Sequence, residues 1–125
     1  MNAVQPSLDV DALKELQVVM GEDFPLLVDA FFDDSGNLLI AIQKAIDEDN
    51  AESLRRAVHS LKGSAGNMAA RVLAVLCQDL EGLAFSGITV GSGKLMTYIV
   101  EEHEQVKAAL EKVRVTFTLS RAEKL

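Results

Sequence analysis

The chain has 125 residues, 49% of them apolar, and a net charge of −7. That length supports one hydrophobic core and not two, so a single domain over residues 1–125 is expected. The acidic balance argues against a general nucleic-acid or anionic-membrane binder, and no apolar run nears the roughly 20 residues needed to span a bilayer. The lone cysteine, Cys77, excludes an internal disulfide and suits a reducing compartment. Met1 to Pro6 lack the basic-then-apolar order of a signal peptide, so a cytoplasmic protein is expected.

Apolar residues at helical spacing run through the chain, and no stretch alternates cleanly enough for a strand. A short first helix is predicted over about 9–20, with Val10, Leu13, Leu16 and Val19 or Met20 inward and Gly21 ending it. A second is predicted over about 23–48. Phe24, Leu27, Val28, Phe31, Leu38, Ile42 and Ile46 form its stripe, Pro25 is tolerated in its first turn, and Ser35-Gly36 could kink or split it. Asp49-Asn50-Ala51-Glu52 marks a new start that resembles a capping box. The third helix then carries Leu54, Ala57, Val58, Leu61, Ala65 and Met68 on one face.

The fourth, about 70–84, turns Val72, Leu73, Leu76, Leu80 and Leu83 inward. A Gly/Ser loop follows, and Ser92 could cap the fifth helix, about 93–117. Leu95, Ile99, His103, Val106, Leu110, Val113 and Phe117 there form the seam of a bundle. The core is expected over about 10–117, with the polar tail 118–125 frayed. Short connections favour antiparallel neighbours. The fold expected is all-α: an antiparallel up-down four-helix bundle with an additional short N-terminal helix packed at one end.

Most candidate sites have an ordinary reading. Gly91-Ser92-Gly93-Lys94 lacks the earlier glycine and the following Ser or Thr of a phosphate-binding loop; Ile88 and Leu95 stand there instead. His103 lies on the apolar seam and reads as a packed residue, and Cys77 as a small buried hydrophobe. With two histidines and one cysteine no cluster has metal-ligand spacing, so no metal or cofactor is expected.

His59 is different. It lies about 160° around the helix from Leu61, away from the apolar stripe, with Arg55, Arg56, Lys62, Gly63, Gly66 and Asn67 on the outward side. Lys62 and Gly63 sit one turn above it. Interior glycines cost about 0.5–1 kcal/mol each relative to alanine, so Gly63 and Gly66 suggest that a partner comes close there. An imidazole that is largely neutral near pH 7, beside a cation, suits phosphoryl chemistry: the ring attacks and the ammonium stabilises charge on the equatorial oxygens.

His59-Ser60-Leu61-Lys62-Gly63-Ser64-Ala65 resembles the signature of histidine-containing phosphotransfer (HPt) domains, which relay phosphate in multistep two-component signalling. Phe24-Pro25-Leu26-Leu27 to Phe31, Leu38-Leu39, Ala45-Ile46 and Leu54 to Val58 fit the family's upstream pattern, and Leu73, Leu76-Cys77 and Leu80-Glu81 its downstream helix. The likeness covers roughly residues 10–115. It departs at Met68-Ala69-Ala70, where the family often has a small-Gly-Ala run; alanine is small enough for the helix hairpin to survive.

The resemblance implies that His59 is phosphorylated through Nε2, that Lys62 stabilises the phosphoryl group and that Gly63 keeps the approach open. Glu81, or Gln78 one turn earlier, would bond Nδ1; an exposed helix residue is an equally good reading of Glu81. The expected partners are the receiver domain of a hybrid sensor histidine kinase, as donor, and that of a response regulator, as acceptor. The donor receiver brings the acidic pocket and Mg²⁺. Arg55, Arg56, Lys62 and Asn67 would form the polar part of a docking patch joining the first helix to the His59 side of the third. A monomer without an ATP site is expected. Two other readings were open: a helical adaptor that binds a signalling partner without phosphotransfer, and a phosphoacceptor domain from a larger chemotaxis-type kinase. The intact Lys62-Gly63 pair speaks against the first, and the absence of a linker favours a free-standing protein over the second.

Overall fold

The computed structural model describes residues 6–123. It contains α1 (Val10–Met20), a 3₁₀ turn (Gly21–Asp23), α2 (Phe24–Asp47), α3 (Ala51–Asn67), α4 (Arg71–Phe85) and α5 (Ser92–Glu123). Among the described residues there is no strand, and no helix is long and apolar enough to cross a membrane.

Helices α2 to α5 form an antiparallel up-down bundle, each packed on its sequence neighbours, with α2 closing the ring against α5. The α2–α5 register shows the antiparallel sense. Phe24 stacks on Phe117 at a centroid distance of 5.2 Å, Asp29 pairs with Arg114, and Ser35 bonds His103. One apolar cluster fills the interior, with Leu54, Leu61, Leu73, Leu80, Ile99 and Leu110 fully buried. The expected stripes of α3 and α5 face this core: Leu54, Ala57, Val58, Leu61, Ala65 and Met68 are all buried, as are Ile99, Val106 and Leu110.

Three helices end in the same way. Asn50 N–H donates to Ala45 C=O at 2.9 Å, Ala70 N–H to Ala65 C=O at 2.9 Å, and Ile88 N–H to Leu83 C=O at 3.0 Å. Each bond closes a Schellman turn around a left-handed residue: Asp49 (φ 54°), Ala69 (φ 61°) and Gly87 (φ 76°). Only Gly87 is free of strain there. The helix hairpin at Met68-Ala69-Ala70 is present, yet the demand on Ala69 is a positive φ as well as small size. A left-handed L-residue costs roughly 1–2 kcal/mol. Ala69→Gly is therefore expected to raise stability by up to about 1 kcal/mol, after allowance for glycine's freer unfolded chain. A lower midpoint in urea unfolding would show that the buried Ala69 methyl outweighs the strain.

Several expectations are corrected. The inner side of α1 is Leu13, helped by Leu16 and Met20; Val10 and Val19 are 58% and 79% exposed. The reason is that α1 rests on the end of the bundle through one edge only, tied down by Asp9 N–H donating to Ala69 C=O at 2.8 Å and by an Asp9–Arg71 ion pair at 2.6 Å. At Ser35-Gly36, where the sequence leaves a break open, α2 runs on as one helix. Asn50, not Asp49, caps α3, its Oδ1 accepting from Ser53 N–H at 3.0 Å, while Glu52 turns to Arg55 and Arg56 instead of closing a capping box. Ser92 is the first residue of α5 and buried, and its Oγ makes no hydrogen bond. Helix α5 does not stop at Phe117 but continues to Glu123, with the Arg121 guanidinium 5.1 Å from the Phe117 ring; residues 124 and 125 lie outside the described residues.

His103 is buried on the seam of α5, with its Nε2 2.8 Å from Ser35 Oγ. Burial, reinforced by Lys107, lowers its pKa from 6.5. The unfolded chain therefore takes up this proton first as pH falls. Stability from this group is complete above the ordinary histidine pKa and is lost as pH drops through it toward the folded value. Unfolding free energy is expected to fall between about pH 7 and pH 5, with a flatter profile in His103→Gln. An unchanged slope in the variant would assign the effect to another group.

Candidate functional site

The site is built by α3 and α4 where they run antiparallel. Leu61 and Ala65 pin α3 to the core, so His59, two residues before Leu61, must face out; its side chain is 63% exposed. Leu80 and Cys77 do the same for α4, which leaves Glu81 at the α3–α4 seam with its side chain 18% exposed. The two helices bring His59, Lys62 and Glu81 together. His59 Nδ1 is 2.7 Å from Glu81 Oε2, and Lys62 Nζ is 2.6 Å from Glu81 Oε1.

The Lys62 ammonium, and then the His59 ring, hold the Glu81 carboxyl below its ordinary pKa, against partial burial that pushes the other way. Glu81 is therefore an anion at neutral pH and can only accept hydrogen bonds. The proton of the His59–Glu81 bond must then sit on Nδ1. In the neutral ring this leaves Nε2 with a free lone pair, on a side chain that reaches solvent. The arrangement is an exposed imidazole oriented by a carboxylate, with a cation one helical turn away.

Gln78 is exposed one turn before Glu81, and the Nδ1 partner is Glu81. A Cβ added at Gly63 or Gly66 would meet no atom within 4 Å, so the fold itself has no need of glycine at either place. Arg55 and Arg56 both pair with Glu52, at 2.8 and 3.1 Å, and the Arg55 guanidinium leads in holding the Glu52 carboxyl down at about 2. These are pairs on a solvated helix face, of the kind that adds little to stability. Asn67 is exposed at the end of α3. Cys77 lies buried beneath the site, and burial pushes its thiol up to about 12, which leaves it inert. Gly91 and Lys94 flank the start of α5, and no group of metal-ligating side chains occurs among the described residues.

The Lys62–Glu81 ion pair is not legible in the sequence, where Lys62 is expected only to face a phosphoryl group. The one available hint was that both residues lie on the outward flank of their helices. A cross-helix bond, however, depends on how far one helix is slid along the other.

The Hpt domain model matches residues 26–115, and the chain belongs to that family. Among solved structures it is similar to histidine-containing phosphotransfer protein B (HptB) from Pseudomonas aeruginosa PAO1. The identity is 33%, with 90% of this chain and 98% of that chain covered and a TM-score of 0.86. Comparison with curated protein sequences finds no match.

Proposed function

We propose that His59 receives a phosphoryl group from the phospho-aspartyl receiver domain of a hybrid sensor kinase and passes it to the receiver of a response regulator. The general role, histidine phosphotransfer in a phosphorelay, follows from family membership. The observation that carries the finer reading is the 2.7 Å contact between His59 Nδ1 and an ionised Glu81, which leaves Nε2 as the nucleophile.

In the forward step Nε2 attacks phosphorus, the N–P bond forms, and the P–O bond to the donor aspartate breaks. The aspartate leaves as a carboxylate. Positive charge grows on the ring as Nε2 is consumed, and Glu81 faces it through the retained Nδ1–H. Lys62 lies one turn from His59 and is held by Glu81 at rest, so it can shift to the incoming equatorial oxygens without a long movement. The receiver supplies its acidic pocket and Mg²⁺; this chain supplies the acceptor, its orientation and an open approach. The chain acts as a carrier in a cytoplasmic relay and not as an ATP-using kinase.

The test is a phosphotransfer profile. Each phosphorylated receiver of the host is incubated with the protein, and the rates are ranked. At least one receiver should give fast, reversible labelling that is acid-labile and base-stable. No labelling by any receiver would leave a partner-binding adaptor as the better reading.

A further inference from the structure

A cavity of about 650 Å³ opens between α1 and the C-terminal turns of α5. None of its lining residues lies on α3 or α4, so it is separate from the His59 site. Helices α1 and α5 make no close backbone approach; each leans on the rest of the bundle and leaves a trough between them. The floor is apolar, built from Leu8, Leu13, Val113 and Phe117, with Val10 and the 83%-exposed Val18 along one wall. The volume lies within the range of small-molecule sites, roughly 300–1,000 Å³.

The rim has the opposite character to the rest of the protein. Lys14, Lys112 and Arg121 all line this cavity, and none of the three is in an ion pair among the described residues. Arg55, Arg56, Lys62, Arg71 and Arg114 hold carboxylates, whereas Lys44, Lys94 and Lys107, like the three at the rim, are in no ion pair among the described residues. Acidic side chains outnumber basic ones 19 to 12 in this chain, so an apolar trough lined by three cations and no carboxylate is a local reversal of charge. The Arg121 guanidinium lies against the Phe117 ring, which holds it at the mouth of the cavity. An apolar floor under a cationic rim fits a molecule with an apolar body and an anionic head.

We propose that this trough is a binding site for a free long-chain carboxylate. The tail would lie on Leu13, Val113 and Phe117, and the head group would sit among Lys14, Lys112 and Arg121. Burial of the tail supplies the attraction, and the cations select the sign of the head group.

Dodecanoate titrated into the full chain by calorimetry should bind saturably at one site. Dodecyltrimethylammonium, with the same tail and the opposite charge, should not. Amide shifts in NMR should concentrate on α1 and on α5 beyond Lys112. The double variant Lys14→Glu/Arg121→Glu, on a solvated rim, should weaken dodecanoate binding about tenfold or more while keeping its helical circular dichroism. Val18→Asp should weaken it independently. His59→Gln should bind as the unaltered chain does, which keeps this test separate from phosphotransfer. Equal binding of the two amphiphiles, or no saturable binding, would overturn the proposal. Retention of the chain on phosphatidylglycerol vesicles, lost in the same variants, would also overturn it by moving the ligand from a free acid to a membrane surface.

Discussion

Replacing His59 with glutamine is expected to abolish phosphoryl labelling completely and to leave the bundle folded. The side chain is 63% exposed, and its recorded polar contact is the bond to Glu81. Surface substitutions of this kind typically change stability by no more than about 0.5 kcal/mol. Glutamine is close to imidazole in reach and polarity but has no nucleophilic nitrogen, so binding and chemistry separate cleanly. The loss should be total because His103, the other histidine, is buried and bonded to Ser35. The measurement is transfer from a phosphorylated receiver, followed by acid and alkali treatment of the product. An N–P bond survives alkali and fails in acid, whereas an acyl phosphate carried over from the donor fails in alkali. Alkali-stable label retained by a folded His59→Gln protein would refute the assignment.

Gly63→Gln is expected to move stability and function in opposite directions. A Cβ at Gly63 would meet nothing within 4 Å, and the position is exposed in the middle of α3. Replacing a mid-helix glycine with a good helix former stabilises by roughly 0.5–1 kcal/mol. The new side chain would nevertheless stand one turn from His59, where the proposed mechanism has a receiver bring its phosphoryl group to Nε2. Misplacing the reacting groups by about 1 Å can slow a reaction on the order of 100-fold, so a loss of that size is expected. Urea unfolding and single-turnover transfer on the same sample would check both halves. A variant that transfers at the normal rate would remove the close-approach argument for glycine. A variant that is destabilised would show that the glycine serves the fold.

The periodicity of α3 is enough to place His59 outside, because Leu54, Ala57, Val58, Leu61 and Ala65 leave only one face free. The same logic placed the seam of α5, including the buried His103. On α1 it misplaces Val10, which is exposed, and of the alternatives Val19 and Met20 it is Met20 that packs inward. A wheel counts apolar residues but says nothing of how much surface the neighbours offer, and the bundle offers α1 only one edge. The continuation of α5 past Phe117 was missed for a related reason. The mostly polar residues 118–123 carry no periodic signal, although the helix runs on through them with Arg121 laid against Phe117.

The difference is sharpest at the site itself. The outward histidine, the cation one turn on, the two interior glycines and the family signature are all local to a single helix; that neither glycine is needed by the fold is seen only in the structure. Which side chain would meet Nδ1 was not. Gln78 and Glu81 are three residues apart, about 60° and 4.5 Å along one helix, so both could serve by spacing alone. The choice depends on the axial offset of α3 against α4, fixed by the packing of Leu61 and Ala65 with Leu73, Cys77 and Leu80 in one core. That offset brings a single carboxylate against both His59 and Lys62. Its charge, kept by the lysine, assigns the histidine proton and so leaves Nε2 free to take a phosphoryl group.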